Sequence, residues 1–307
     1  MIEIKNLYKS FGEVEALKYV SLNIKSGEMF GIVGPDGAGK TTLIKSLCGL
    51  IDFNVGKITV GNLQMPKQKK NIQNKIGYLS QQFSLYGDLS IDENIRFFAE
   101  IHDFKKYRKR RDKLLKMTRL IKFRSRLAEK LSGGMKQKLA LACALIHEPE
   151  ILILDEPTTG VDPVSRRDFW KILFELLKDG LTVIMTTPYL DEAERCSRIA
   201  LMHQGKFIDI DTPQNIKAKT NKIVIEIIPD KIDNAFLFLK NKYKSNVQIF
   251  GDRINIIADD YQAESGRIIN TLREENIKVM NIRETSLSLE NVFIHLITSK
   301  KNNGKQK

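Results

Sequence analysis

Residues 29–47 read Met29-Phe30-Gly31-Ile32-Val33, then Gly34-Pro35-Asp36-Gly37-Ala38-Gly39-Lys40-Thr41-Thr42, then Leu43-Ile44-Lys45-Ser46-Leu47. The first run is a short buried strand, and Leu43, Ile44 and Leu47 recur at helical spacing. Between them, Gly34 to Thr41 matches G-x-x-x-x-G-K-[ST] in the strand-loop-helix setting that the pattern requires. Glycines let the backbone N–H groups wrap a chain of phosphates, and the helix N-terminus adds a dipole that favours negative charge. Lys40 is then placed to neutralise β- and γ-phosphates, and the Thr41 hydroxyl to ligate Mg²⁺. Nucleotide binding is expected here, with ATP and Mg²⁺ as the ligands.

A second run, Ile151-Leu152-Ile153-Leu154-Asp155-Glu156, is a buried strand ending in two carboxylates. Ligands of open α/β sheets bind beyond the carboxyl ends of the strands, so Asp155 is placed to hold the Mg²⁺ and Glu156 to polarise water. A third, Leu131-Ser132-Gly133-Gly134-Met135-Lys136-Gln137, precedes an Ala- and Leu-rich helix. Ser132 suits an N-cap and the glycines expose helix amides, giving a second anion-binding helix start.

The chain of 307 residues suits one large α/β domain plus a small appendage. With 42% hydrophobic and 28% charged residues, its composition is that of a soluble globular protein. The longest apolar stretches, such as Leu139 to Ile146, fall far short of the ~20 residues a bilayer span needs. Met1 leads straight into a strand pattern (Ile2, Ile4) and not into an export signal, so a cytoplasmic chain is expected. Cys48, Cys143 and Cys196 form no C-x-x-C pair and read as reduced packing residues. The net charge of +13 points to an anionic contact, phosphate headgroups or nucleic acid.

From residue 1 to about 211, short β-rich runs alternate with amphipathic helical stretches, which implies a parallel α/β sheet. Residues 212–222 are expected to be a linker or a short helix. Beyond them, residues 223–298 follow a βαββαβ order that fits a ferredoxin-like α+β accessory domain, and 299–307 read as a disordered basic tail. No internal repeat is visible.

The order of these motifs resembles that of an ABC transporter ATPase across residues 1–211. The loop GPDGAGKTT, the glutamine in Tyr78-Leu79-Ser80-Gln81, the signature LSGGMKQ, the strand ILILDEP and the dimer-loop-like Gly160-Val161-Asp162 all stand in the family's sequence. GPDG, LSGGMKQKLALAC and GVDPVSRRDFW most resemble the YbhF-like branch of ABC-2 exporters, which implies efflux of drugs or other small molecules. The resemblance implies a P-loop NTPase fold with an antiparallel β subdomain and a helical subdomain. It also implies two ATPase domains meeting head to tail, so that each ATP lies between one phosphate loop and the partner's Leu131, Ser132, Gly133, Gly134 and Met135. Gly34, Pro35, Asp36, Gly37, Ala38, Gly39, Lys40, Thr41 and Thr42 would hold the phosphates, and Phe11, or less favourably Tyr8, would stack on adenine. Gln81 would touch Mg²⁺ or the attacking water and report to residues 83–88, which face the membrane partner in such proteins. Asp162 would align the dimer. The implied partners are integral membrane permease subunits and a second ATPase domain, identical or different, with the chain peripheral on the inner membrane face.

One position departs from the family. A histidine normally follows the strand at Thr182 to Thr186, but Thr187 is followed by Pro188. Proline suits a first helical turn with Thr187 as N-cap, and offers no hydrogen bond to a γ-phosphate. This motivates one rival to a plain motor, a slow nucleotide-binding regulator, and the basic charge motivates another, a nucleic-acid-associated ATPase. The ninety or so residues between Lys40 and Ser132 carry no sustained heptads, so no nucleic-acid partner is expected. Between Lys105 and Arg126, twelve Lys or Arg residues face a single acid, Asp112, interleaved with Leu114, Leu115, Leu120 and Ile121. That run reads as a solvated helix face or as a contact with anionic inner-leaflet lipids.

Overall fold

A computed structural model describes residues 1–82, 85–243 and 246–303, in two compact units, Met1–Ile210 and Asp211–Lys307. The first unit begins with β1 (Ile2–Phe11), β2 (Val14–Ile24), β3 (Met29–Val33), α1 (Lys40–Leu47), β4 (Val55–Val60), β5 (Leu63–Gln64), α2 (Lys69–Gln73) and β6 (Ile76–Leu79). It continues through α3 (Ile91–Ile101), α4 (Tyr107–Met117), α5 (Gly133–Ala144), β7 (Ile151–Asp155), α6 (Pro163–Lys178), β8 (Thr182–Thr187), α7 (Leu190–Ala193), β9 (Arg198–His203) and β10 (Lys206–Asp211).

Strands β3, β7 and β8 are buried along their whole length because both faces are covered, as expected for near-continuous apolar runs in a parallel sheet. They form the centre of a six-stranded sheet in the order β10-β9-β3-β8-β7-β6. The pairs β3–β8, β3–β9, β7–β8 and β6–β7 are parallel. The phosphate loop after β3 and the acids after β7 therefore emerge at the same sheet edge, two strands apart. A second sheet, β2-β1-β4-β5, is antiparallel, and its inward residues Ile2, Ile4, Leu7 and Leu17 pack with Phe30, Ile44 and Ile58 in one core.

Helices α3, α4 and α5 form the helical part. A capping box starts α3: Ser90 Oγ accepts from Glu93 N–H at 3.3 Å and Glu93 Oε2 accepts from Ser90 N–H at 2.8 Å, an arrangement that contributes about 1 kcal/mol. The fully buried Asn94 donates to the carbonyls of Tyr86, Leu89 and Ser90, which fixes the end of the segment that follows Gln81. Phe83 and Ser84, in the stretch expected to face a membrane partner, lie outside the described residues. The basic run is not one helix: α4 stops at Met117, and Arg119 takes a left-handed φ of 59° before a 3-10 turn at Ile121–Phe123. Leu114, Leu115 and Leu120 are buried as expected.

The second unit contains α8 (Pro213–Ala218), β11 (Ile223–Pro229), α9 (Ile232–Tyr243), β12 (Val247–Phe250), β13 (Arg253–Ala258), α10 (Tyr261–Glu274), β14 (Val279–Thr285) and α11 (Leu289–Asn303). Its sheet runs β12-β13-β11-β14 with every described pair antiparallel, the ferredoxin-like order for a βαββαβ chain. Of the two expectations for 212–222, a linker or a short helix, the second holds: the segment carries α8, capped by Thr212 Oγ1 and packed on α11. The tail expected to be disordered over 299–307 is corrected in part, since α11 runs on to Asn303, while 304–307 lie outside the described residues.

Candidate functional site

The phosphate loop passes into α1 at Gly39, whose φ of 104° only glycine adopts freely. A Cβ there would stand 2.5 Å from the Ala16 carbonyl, so no side chain fits and the helix amides are left open without a side-chain cap. Lys40 opens the helix and is only 4% exposed. Its Nζ donates to the carbonyls of Gly34 at 2.8 Å and Pro35 at 3.2 Å, and pairs with Glu156 Oε1 at 3.1 Å. The side chain of Asp36 is exposed and 3.9 Å away.

The two acids divide their contacts. Asp155 Oδ1 accepts from the Thr41 hydroxyl at 3.1 Å and from the Thr186 hydroxyl at 2.6 Å. Thr186 Oγ1 in turn accepts from the Glu156 N–H at 2.9 Å, which ties the end of β8 to that of β7. Glu156 sits at φ 48°, a left-handed conformation that costs a non-glycine residue on the order of 1 kcal/mol and needs surrounding bonds to persist. Its Oε2 accepts from Gln81 Nε2 at 3.1 Å. Lys40, Thr41, Gln81, Asp155 and Glu156 are thus one connected cluster.

A cavity of about 730 Å³ opens over this cluster, lined by Asp36 through Thr42, by Gln81 and Glu156, and by Val14, Glu15, Ala16 and Lys18 of β2. The contribution of β2 is absent from the sequence reading, because nothing in Val14-Glu15-Ala16 marks it as a ligand wall. Phe11 does not line the cavity. It lies half exposed beside the β1–β2 turn with the Lys9 ammonium 4.7 Å from its ring centroid, and Tyr8 instead stacks on Tyr19 at 5.0 Å. Among the described residues no group of three His, Cys, Asp or Glu side chains forms a self-contained metal site. The Thr41 hydroxyl and Asp155 carboxylate, in contact at 3.1 Å, are oxygen donors of the kind that would suit Mg²⁺, with Gln81 bonded to the adjacent Glu156.

None of the signature residues lines that cavity. Ser132 is the N-cap of α5, its Oγ accepting from Met135 N–H at 3.3 Å, and Leu131 is buried behind it. A Cβ on Gly134 would stand 2.3 Å from Ser165 Oγ, so only glycine lets this turn pack on the start of α6, whereas Gly133 has open space. Asp162 caps α6 by accepting from Val164 and Ser165 N–H, and these backbone bonds hold its carboxyl below the usual range. Gln137, fully buried, donates to the Pro157 carbonyl at 2.5 Å, a link between α5 and the residue after Glu156 that the motif itself does not disclose.

Contrary to the expectation from sequence, Pro188 does not sit in a first helical turn with Thr187 as N-cap. Thr187 is the last residue of β8 and Tyr189 is the N-cap of α7, so Pro188 lies in the bend before the helix and not in its first turn. Thr187 Oγ1 accepts from Tyr189 N–H at 3.0 Å, spanning that bend, and Pro188 does not line the cavity.

Residues 17–159 match the sequence model of the family described as "ABC transporter". The Escherichia coli "Probable multidrug ABC transporter ATP-binding protein YbhF" is 42% identical over 72% of this chain, which spans 38% of that protein's length. The Bacillus subtilis "Linearmycin resistance ATP-binding protein LnrL" is 31% identical over 96% of this chain and 98% of its own. Among solved structures, the ATP-binding cassette MJ0796, a dimer in a post-hydrolysis state bound to ADP and Pi, matches with a TM-score of 0.62 and 32% identity over 69% of this chain and 98% of its own. An "ATP binding subunit of ABC transporter" matches with a TM-score of 0.66 and 28% identity over 72% and 93%. A phosphate loop, a paired Lys40 and Glu156 and a separate signature helix are thus found in a chain that belongs to the ATP-binding proteins of ABC transporters.

Proposed function

We propose that this chain binds Mg²⁺-ATP between its phosphate loop and the signature helix of a second ATPase domain, and that hydrolysis drives membrane permease subunits that export drugs or other small molecules. The observation that carries this reading is the buried contact of Lys40 with Glu156, at 3.1 Å, beside Gln81 and Thr41. A phosphate in the loop competes with Glu156 for the Lys40 ammonium. As Lys40 turns to the phosphate, the Glu156 carboxylate is released to accept a proton from water, with Gln81 holding its other oxygen. Mg²⁺, held by Thr41 and Asp155 with Gln81 nearby, would neutralise charge on the phosphate oxygens. The remaining work is positioning, which the Thr186 bonds to Asp155 and Glu156 supply. Phe11, half exposed beside the β1–β2 turn, is the proposed adenine platform.

Pro188 favours pairing with a different ATPase whose intact site borrows Ser132, Gly133 and Gly134 from this chain, with Asp162 aligning the two. No helix among the described residues is long and apolar enough to cross a membrane. From its kinship with ATP-binding proteins of ABC transporters, we place the chain on the cytoplasmic face of the inner membrane, held by its permease. Lys105, Lys106, Arg108, Lys109, Lys113 and Lys116 pair with no acid among the described residues, and their proposed counter-charge is anionic lipid. By contrast Arg111 and Arg124 are clamped on Asp92 and Asp112. The test is to purify the chain from its native membranes in mild detergent. An integral membrane protein should co-purify, with ATPase activity that EDTA removes. A chain that comes free of any membrane protein and binds no ATP contradicts the proposal.

A further inference from the structure

Glu192, in the four-residue helix α7, is 1% exposed, and a carboxylate that deep is retained only when its oxygens are bonded. Both are. Oε1 accepts from the Thr158 hydroxyl at 2.6 Å and faces Arg166 Nε at 3.6 Å, while Oε2 accepts from the Thr187 hydroxyl at 2.9 Å. The two threonines flank the chemistry. Thr158 stands two residues after Glu156 in the segment that Gln137 of the signature helix also grips, through Pro157. Thr187 is the residue before Pro188, and because its hydroxyl donates to Glu192, its lone pair is aimed at the Tyr189 N–H, which shapes the bend. The Arg166 guanidinium lies 5.1 Å from the centroid of the Tyr189 ring, closing the node from the α6 side.

We propose that Glu192 is a positioning residue for hydrolysis, which ties the loop carrying Glu156 to the bend carrying Pro188 by binding the hydroxyls of Thr158 and Thr187. Glu156 is held in its left-handed conformation from one side by Thr186 and from the other by this anchor. In a chain with proline where a hydrogen-bonding side chain is expected, the anchor replaces direct contact at position 188 with a fixed backbone path. Ser132, through α5 and Gln137, and Ser165 with Arg166, through α6, reach the same node, so signature contacts in a closed dimer would be felt at Glu156.

The inference rests on Glu156 acting on water, so the experiment includes Glu156→Gln beside Glu192→Gln, assayed as full chains in the membrane assembly. Glu192→Gln should lower kcat roughly tenfold or more, the scale of one lost buried charge-assisted bond. KM for ATP should stay within about twofold, and the variant should still fold with a single cooperative thermal transition, because the amide keeps the shape. Thr187→Val should act in the same direction, and adding it to Glu192→Gln should lower kcat no further. If Glu156→Gln leaves turnover at the parental rate, the proposed function fails whatever Glu192 does. If Glu156→Gln abolishes turnover while Glu192→Gln keeps the parental kcat, or shifts KM alone, the positioning role is overturned. Should Glu192→Gln not fold, Thr158→Val and Thr187→Val decide the matter: a lowered kcat in both supports the anchor, and parental kcat in both removes it.

Discussion

Two helices of the first unit, α1 and α5, begin in ways suited to an anion, and they differ in what surrounds them. The start of α1 is left uncapped by a left-handed glycine, brings a buried lysine as its first residue, and faces two acids at the end of β7, two strands away in the sheet. The start of α5 spends its cap on its own Met135 amide, offers a hydroxyl and glycine amides, and brings no buried lysine or acid. The first has cation, metal ligand and base together. The second has only the means to touch a phosphate that another loop already holds. On the proposed reading, the difference is that this chain carries one near-complete site and half of another, which would be the physical basis for pairing.

Breaking the first start should have the largest effect. Lys40→Ala removes the loop's cation and leaves Glu156, 8% exposed, without its partner. Removing one member of a buried pair costs about 3 to 5 kcal/mol of stability, and losing the charge-assisted contact to phosphate, about 1.5 to 3 kcal/mol, should lower ATP affinity by calorimetry roughly ten- to a hundredfold. Breaking the second start should act only across the pair. Where identical chains pair, Ser132→Arg should abolish turnover alone, but mixing it with Lys40→Ala chains leaves one site free of both changes. Mixed dimers that form and recover no turnover would refute the shared site.

Pro188→His sharpens the comparison by adding to the near-complete site the contact it lacks. Gaining one charge-assisted bond of about 1.5 to 3 kcal/mol should raise turnover of the purified chain roughly ten- to a hundredfold. Equal rates for the parental chain and the variant would show that the site is not impaired. The smallest effect is expected outside both starts, on α4. Each nearby basic residue is worth about 1 kcal/mol against an anionic membrane within a Debye length. Charge reversal at Lys105, Lys106 and Lys109 should weaken liposome binding at low salt only when anionic lipid is present, and equal binding with and without it removes the lipid contact.

The parts legible in the sequence were those where one residue type has one physical use. Gly39-Lys40-Thr41, the acids after four aliphatics in β7 and the Ser132 cap all stand where residue type alone places them. The βαββαβ order of the second unit was legible through alternating runs and Gly251-Asp252. Less was visible where tertiary contact decides. Gln137 and Glu192 look like solvated polar residues on helices until the fold buries both. The break at Arg119 is hidden because basic residues continue on either side of it, and Thr187 resembles an N-cap because its hydroxyl does cap the backbone, two residues before the true N-cap Tyr189.

The most direct measurement is ATP binding and turnover of Glu156→Gln beside the parental chain in the same assembly. We expect ATP affinity to be kept or raised, because the substitution frees Lys40 from its carboxylate partner at 3.1 Å. Turnover should fall about a hundredfold or more as the base is lost, with a closed ATP-bound dimer accumulating. Hydrolysis by Glu156→Gln at the parental rate would contradict the assignment of that carboxylate and, with it, the reading of the paired Lys40 and Glu156 as the centre of the site.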